Sequence, residues 1–357
     1  MPILYAHTDG TLRKFGTNAA SGAWSGVADT FVHRTTEASA SNTGHGLGFT
    51  RAIPELGLAA HHYRPLDPVA DAYNGNMTTT SGQVVTNKVI YGWVDAHYQS
   101  VFRNCLIVGN ATPPVSARAL VKVLDHTPTA NGQRAVFDCV TIEPQTKSAW
   151  WTECLGPYGW EAHRVKAQGT TDILAARSNS AGNGLANVRA YDSWFGPVVQ
   201  WDPDPITDRS HLEYKGTHND TVQFQGNTGG VEDIVFDGCT FVGRMMPDVG
   251  QPSSNPQYWP TPNSMSCMTA QTNTKDRFAF AFRHTRFKGG APYEVNLGVG
   301  TSLSEVEFTS CGFERPGAPG VPAMYPNKAL VIAAALQRTL SGNYYLDNLA
   351  AVSPVTG

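Results

Sequence analysis

Between residues 82 and 315 apolar and polar positions alternate in short stretches, each closed by Gly or Asn, the pattern of strands with one face in a core. Several stretches share one template: apolar or small, any, apolar, any, any, Cys/Ser/Thr, any, apolar. It is met by SVFRNCLI (100–107), VRAYDSWF (188–195), IVFDGCTF (234–241), FAFRHTRF (280–287) and VEFTSCGF (306–313), with RAVFDCVT (134–141) a partial copy. The small column then runs Cys105, Cys139, Ser193, Cys239, Thr285, Cys311. Ser193, Cys239 and Thr285 stand 46 residues apart, and Cys311 follows after 26. A unit of roughly two dozen residues, single or doubled, accounts for these gaps, with a loop inserted between Cys105 and Cys139.

Short strands and turns repeated at this length, without an intervening helix, predict an all-β solenoid, a right-handed parallel β-helix, over 81–320. A propeller blade needs about 40–45 residues, more than the 26-residue gap allows. Successive layers approach at about 4.8 Å and leave no water for a polar group, so small Cys, Ser and Thr suit an inward corner. Residues 1–80, rich in Gly, Ser, Thr and Ala, read as an irregular arm or attachment region. Residues 321–357 read as a capping segment, helical over NKALVIAAALQRTL (327–340), where Ala and Leu cluster at helical spacing.

Composition agrees with β structure and removes several partners. Charged residues are 15% of the 357, with 35 Gly and 23 Pro, against about 25% charged in ordinary domains. The net charge of -3 offers no broad basic surface, so nucleic acid is not an expected partner. No apolar run reaches the ~18 residues of a membrane span, and MPILYAHTDGTLRKFG lacks the pattern of an export signal. The six cysteines have neither C-x-x-C nor zinc spacing and read as core residues; no metal or other cofactor is expected.

Three stretches carry a resemblance: VVTNKVIYGWVDAHYQSVFRNCLIVG (84–109), the segment 187–243 containing WDPDPITDRSHLEYKGTHNDTVQFQG, and FAFRHTRFKGG (280–290). They resemble the pectin-lyase-like β-helix proteins of actinobacteria and of the minor tail proteins of their phages. That group runs strand, proline-rich loop, then His-x-Asp-x-x-Gln, matched here by His218, Asp220 and Gln223; Thr221 stands where the group usually has Gly. The resemblance implies a tailspike-like virion component, made in the host cytoplasm, that contacts host cell-envelope polysaccharide and other phage tail proteins as a homotrimer. Polysaccharide degradation is left open. The alternative is a secreted carbohydrate-active enzyme of the same fold, glycoside hydrolase or polysaccharide lyase.

Glycoside hydrolysis needs two carboxyls about 5–9.5 Å apart, one protonated and one ionised. Asp220 with Asp202 or Asp204 is the candidate pair, with His218 donating or tuning a proton. Arg209 would hold an acidic sugar, and Trp194, Trp201 and Gln223 would line the binding surface. The same residues also fit a plain scaffold, with Asp220 capping a turn, His218 bonding a loop carbonyl and Asp-Pro-Asp-Pro forming a stiff solvated loop.

Overall fold

The computed structural model describes residues 66–124, 134–177, 185–199, 219–225, 231–243, 278–288, 305–314 and 337–352, together with pieces at 4–6, 12–14, 49–50, 61–62, 201, 205–206, 268–271, 295–297, 330–332 and 355–356. Two short antiparallel pairs, Leu4–Ala6 with Leu12–Lys14 and Phe49–Thr50 with His61–His62, belong to the first 65 residues. All other strands fall into two sheets, one of 10 strands and one of 16. Within both, every pair is parallel.

The expected fold class is thereby corrected. The strands form two long parallel sheets rather than the right-handed parallel β-helix with a helical end that the repeat suggested, and no helix occurs among the described residues. The template covers only segments of the 16-stranded sheet. The stretches between its copies, Trp151–Gly156, Leu174–Arg177, Val222–Gln225, Met268–Gln271 and Val295–Leu297, build the second sheet. At the C-terminal end Leu330–Ile332 extends the register of Val295–Leu297, and Gln337–Ser341 extends that of Glu305–Thr309. An open sheet edge offers a row of unpaired N–H and C=O groups, and filling it outweighs helix propensities of a few tenths of a kcal/mol per residue.

The small column does stack, with one correction. Arg286 N–H donates to Cys239 O, Gly312 N–H to Thr285 O, and Thr240 N–H to Ser193 O, so Ser193, Cys239, Thr285 and Cys311 lie one above another. Asn343 continues the file, its Oδ1 accepting from Cys311 N–H at 3.0 Å. Cys105 belongs to it too, but pairs with Val140, so Cys139 stands one place earlier. That earlier place is a second file, of left-handed residues: Asn87, Asn104, Cys139, Arg164, Asp192, Gly238, His284, Ser310 and Gly342, with φ from 49° to 69°. Each bends its strand at the same height. Asn, Asp and Gly tolerate this region best, and Asn104 Nδ2 also donates to Asn87 Oδ1 at 2.7 Å.

The core is built from two ring files flanking that bend. Before it, Phe102 and Phe137 stack, then Phe236, Phe282 and Phe308. Between them the register passes through Ala162 and Ala190, and Trp160 and Phe195 reach over to Phe236 to fill the space, with centroids 6.3 Å away in both cases. After the bend, Phe195, Phe241, Phe287, Phe313 and Tyr345 follow one another in register. Gly196 closes this strand with φ +102°, and a Cβ there would meet Val242 O at 2.0 Å. No side chain fits at that crossing.

Candidate functional site

The period of two that buries Ile234 and Phe236 turns Val235 and Asp237 to the outer face of the 16-stranded sheet. Parallel register then lines up one outward file: Asp138, His163, Tyr191, Asp237, Arg283 and Thr309. A neighbouring file holds Glu161, Arg189, Val235, Ala281, Glu307 and Thr339. The left-handed bend adds Asp192 and His284 beside the first. Every one of these strands contributes a polar side chain at the same height.

His284 Nδ1 lies 2.9 Å from Asp237 Oδ1, both about one-third exposed. Asp192 N–H donates to Asp237 O, seating the two aspartates on adjacent strands. Asp192 is buried, and burial, reinforced by the negative charge of Asp237, pushes its carboxyl well above the usual range. Its neighbour faces solvent. Two adjacent carboxyls in such unlike surroundings are the arrangement that separates a proton donor from a partner of the opposite role.

Two paired groups flank this centre. Arg283 reaches Glu307 through Nε at 2.9 Å and through a second nitrogen at 2.8 Å, and Thr309 donates to the same carboxylate. These bonds hold Glu307 below its ordinary range. On the other side His163 Nε2 lies 2.7 Å from Glu161 Oε1, and the His163 ring stacks on Tyr191 at 4.8 Å. Burial pushes the Glu161 carboxyl up, but the hydrogen bond from His163 and the charges of His163 and Arg134 outweigh it and leave it lowered. Next to the file, an open groove of about 510 Å³ is lined by Asp233, Glu305 and Glu307 together with Val235, Ala279 and Ala281. Arg189 pairs with Asp233 at its margin.

The residues singled out from the sequence are distributed differently. Asp220 is fully buried: its N–H donates to Asp172 Oδ1 at 2.9 Å and its carbonyl accepts from Ile173. Asn219 beside it donates to the carbonyls of Thr171 and Val199. The segment is sewn into the layers ahead of Val222–Gln225, so Asp220 sits inside them rather than on an accessible face. Gln223 is half-buried on the 10-stranded sheet, in register with Ala175 and Thr269. Trp194 belongs to the other sheet, where its indole N–H donates to Gly196 O. Trp201 is half-buried. His218, Asp202, Asp204 and Arg209 lie outside the described residues.

The residues brought together instead, Tyr191, Asp192, Asp237, Arg283 and His284, occupy the two adjacent unrestricted positions of the repeat template, its fourth and fifth. Stacking those free columns as well as the apolar ones is the signal that would have found them. Among the described residues no three His, Cys, Asp or Glu side chains gather as a metal site, and no helix is long and apolar enough to cross a membrane. All five described cysteines are buried and none forms a disulfide, and burial pushes the thiols of Cys105, Cys139, Cys154 and Cys311 up to about 12. They are core, not chemistry.

No family model matches the chain, and no curated protein matches it. Among solved structures it is similar to a crystal structure from Parabacteroides merdae ATCC 43184, a protein provisionally named a glycosyl hydrolase, at 10% identity. The match covers 79% of this chain and 85% of that one, with a TM-score of 0.27.

Proposed function

We propose that the chain is a carbohydrate-active protein whose outer face on the 16-stranded sheet binds a glycan and cleaves it by hydrolysis. The observation that carries this reading is the juxtaposition of Asp192, Asp237 and His284 on neighbouring strands, beside an open groove. Hydrolysis of a glycosidic bond adds water across it: an acid protonates the departing sugar oxygen, and a second carboxylate either activates water or attacks the anomeric carbon. Asp192 supplies the proton. Asp237 takes the second role, with His284 fixing the orientation of its carboxylate.

The setting that best joins this chemistry to the sequence resemblance is a tailspike-like component of a phage tail acting on host cell-envelope polysaccharide, assembled as a homotrimer with other tail proteins. A secreted enzyme is the second setting for the same site. The test is incubation of the purified chain with a panel of bacterial envelope polysaccharides, read as new reducing ends. Wild type should release oligosaccharides, and His284→Ala should slow release by about 100-fold, the usual weight of a positioned acid–base group. Release by wild type and His284→Ala at equal rates would remove the site from the chemistry.

A further inference from the structure

We infer that the groove beside this centre is built for an uncharged sugar and rejects a uronate. The inference rests on reading the outer face as a glycan site and adds the class of sugar it takes. Its basis is charge and surface. Asp233, Glu305 and Glu307 line the groove, and no Lys or Arg is among its described lining residues.

The described arginines beside the groove are committed elsewhere. Arg189 and Arg134 both meet Asp233, and Arg134 also meets Glu161 at 3.1 Å. Arg283 is held by Glu307 in a two-point contact, the geometry in which a guanidinium is already matched to a carboxylate. A uronate entering here would bring a further negative charge toward three carboxylates, two of them already matched by arginines, with no unengaged fork among the described residues to receive it. A neutral sugar meets the opposite situation. Its hydroxyls are donors, which carboxylate oxygens accept, while its C–H face can rest on Val235, Ala279 and Ala281. The polysaccharide of an acidic-sugar enzyme would require unpaired cations at this place, and with Arg283 and Arg189 paired the described residues of this groove supply none.

The experiment compares each uronate-containing polysaccharide of the panel with its carboxyl-reduced form, in which the same backbone carries a primary alcohol at C6. Binding to the full chain is measured by calorimetry at low and at physiological salt. The reduced form should bind about 10-fold tighter or more at low salt, and the gap should narrow as salt screens the repulsion. Glu307→Gln should raise affinity for the unreduced form about 10-fold, because Arg283 loses its partner and becomes available. Tighter binding of the unreduced form, weakening as salt rises, would overturn the sugar class and leave the glycan site intact. Binding of neither form across the panel would overturn the glycan reading, and the sugar class with it. Unchanged affinity in Glu307→Gln would overturn the role given to the Arg283 pairing.

Discussion

Phe282 is where the two-sheet core is most densely committed. Its ring is fully buried and meets six others: Phe236 and Phe308 stacked at 5.1 Å, with Phe224, Phe241, Phe280 and Phe287 around it at 5.5 to 6.4 Å. A centroid distance slightly above the ~4.8 Å strand spacing leaves the stacked rings offset, the favourable arrangement for aromatic pairs. Replacing Phe by Ala in a close-packed core costs about 3–5 kcal/mol, from lost transfer and the cavity left behind. Because the neighbours on both sides are held by parallel ladders, they cannot collapse into the gap, so Phe282→Ala belongs at the upper end, about 4–5 kcal/mol. Phe282→Leu should cost about 1–1.5 kcal/mol, and Val84→Ala, at a site 54% exposed, within about 0.5 kcal/mol. Urea unfolding followed by tryptophan fluorescence reads the difference, and hydrogen exchange of Val231–Asp237 and Glu305–Thr309 tests its location. A loss below about 1 kcal/mol in Phe282→Ala, with exchange in those two strands unchanged, would refute the stacked core.

Three further outcomes follow from other parts of the molecule. Asn104→Ala should destabilise by about 2 kcal/mol, from a left-handed backbone that Ala resists and from the lost bond to Asn87, while Asn104→Gly should cost less; thermal unfolding separates them. In the folded protein at pH 8, Cys105, Cys139, Cys154 and Cys311 should resist a thiol reagent that labels them all in urea, since burial holds their thiols near 12; prompt labelling mapped by mass spectrometry would contradict their burial. Asp192 binds its proton more tightly folded than unfolded, where its value is near 3.8, so it lowers stability progressively as pH rises above that value until the folded group has ionised. Asp192→Asn should therefore be more stable than wild type at neutral pH and lose that advantage near pH 3, as read by unfolding midpoints across pH; equal midpoints at pH 7 would contradict the buried, proton-bearing carboxyl.

The sequence carried its local periods plainly and its global arrangement less so. Ser193, Cys239, Thr285 and Cys311 stack because a two-residue alternation with a fixed bend places the third restricted column of each copy inward. Cys139 was misaligned by one, since RAVFDCVT offers a Cys at the bend and a Val in the corner, and both are small enough for either place. The second sheet was hidden because LAAR and MTAQ have no alternation of their own; their partners across the sheet determine them. The same applies at Leu330–Ile332 and Gln337–Ser341, where neighbouring strands override the Ala and Leu spacing. For the site, GTHNDTVQFQG concentrates polar residues locally, and Asp220 among them is buried by the layers around it. Asp192, Asp237 and His284 are spread over almost a hundred residues and meet only through the parallel register.

The account's central claim is that these three residues form the acid–base centre of a glycan-cleaving face, and the rate of reducing-end release by Asp237→Asn tests it most directly. Against a polysaccharide that wild type degrades, the amide retains the side chain's shape but can neither attack nor accept a proton. A fall of about 1,000-fold or more, with the unfolding midpoint kept, is predicted. Release at the wild-type rate by this variant would contradict it.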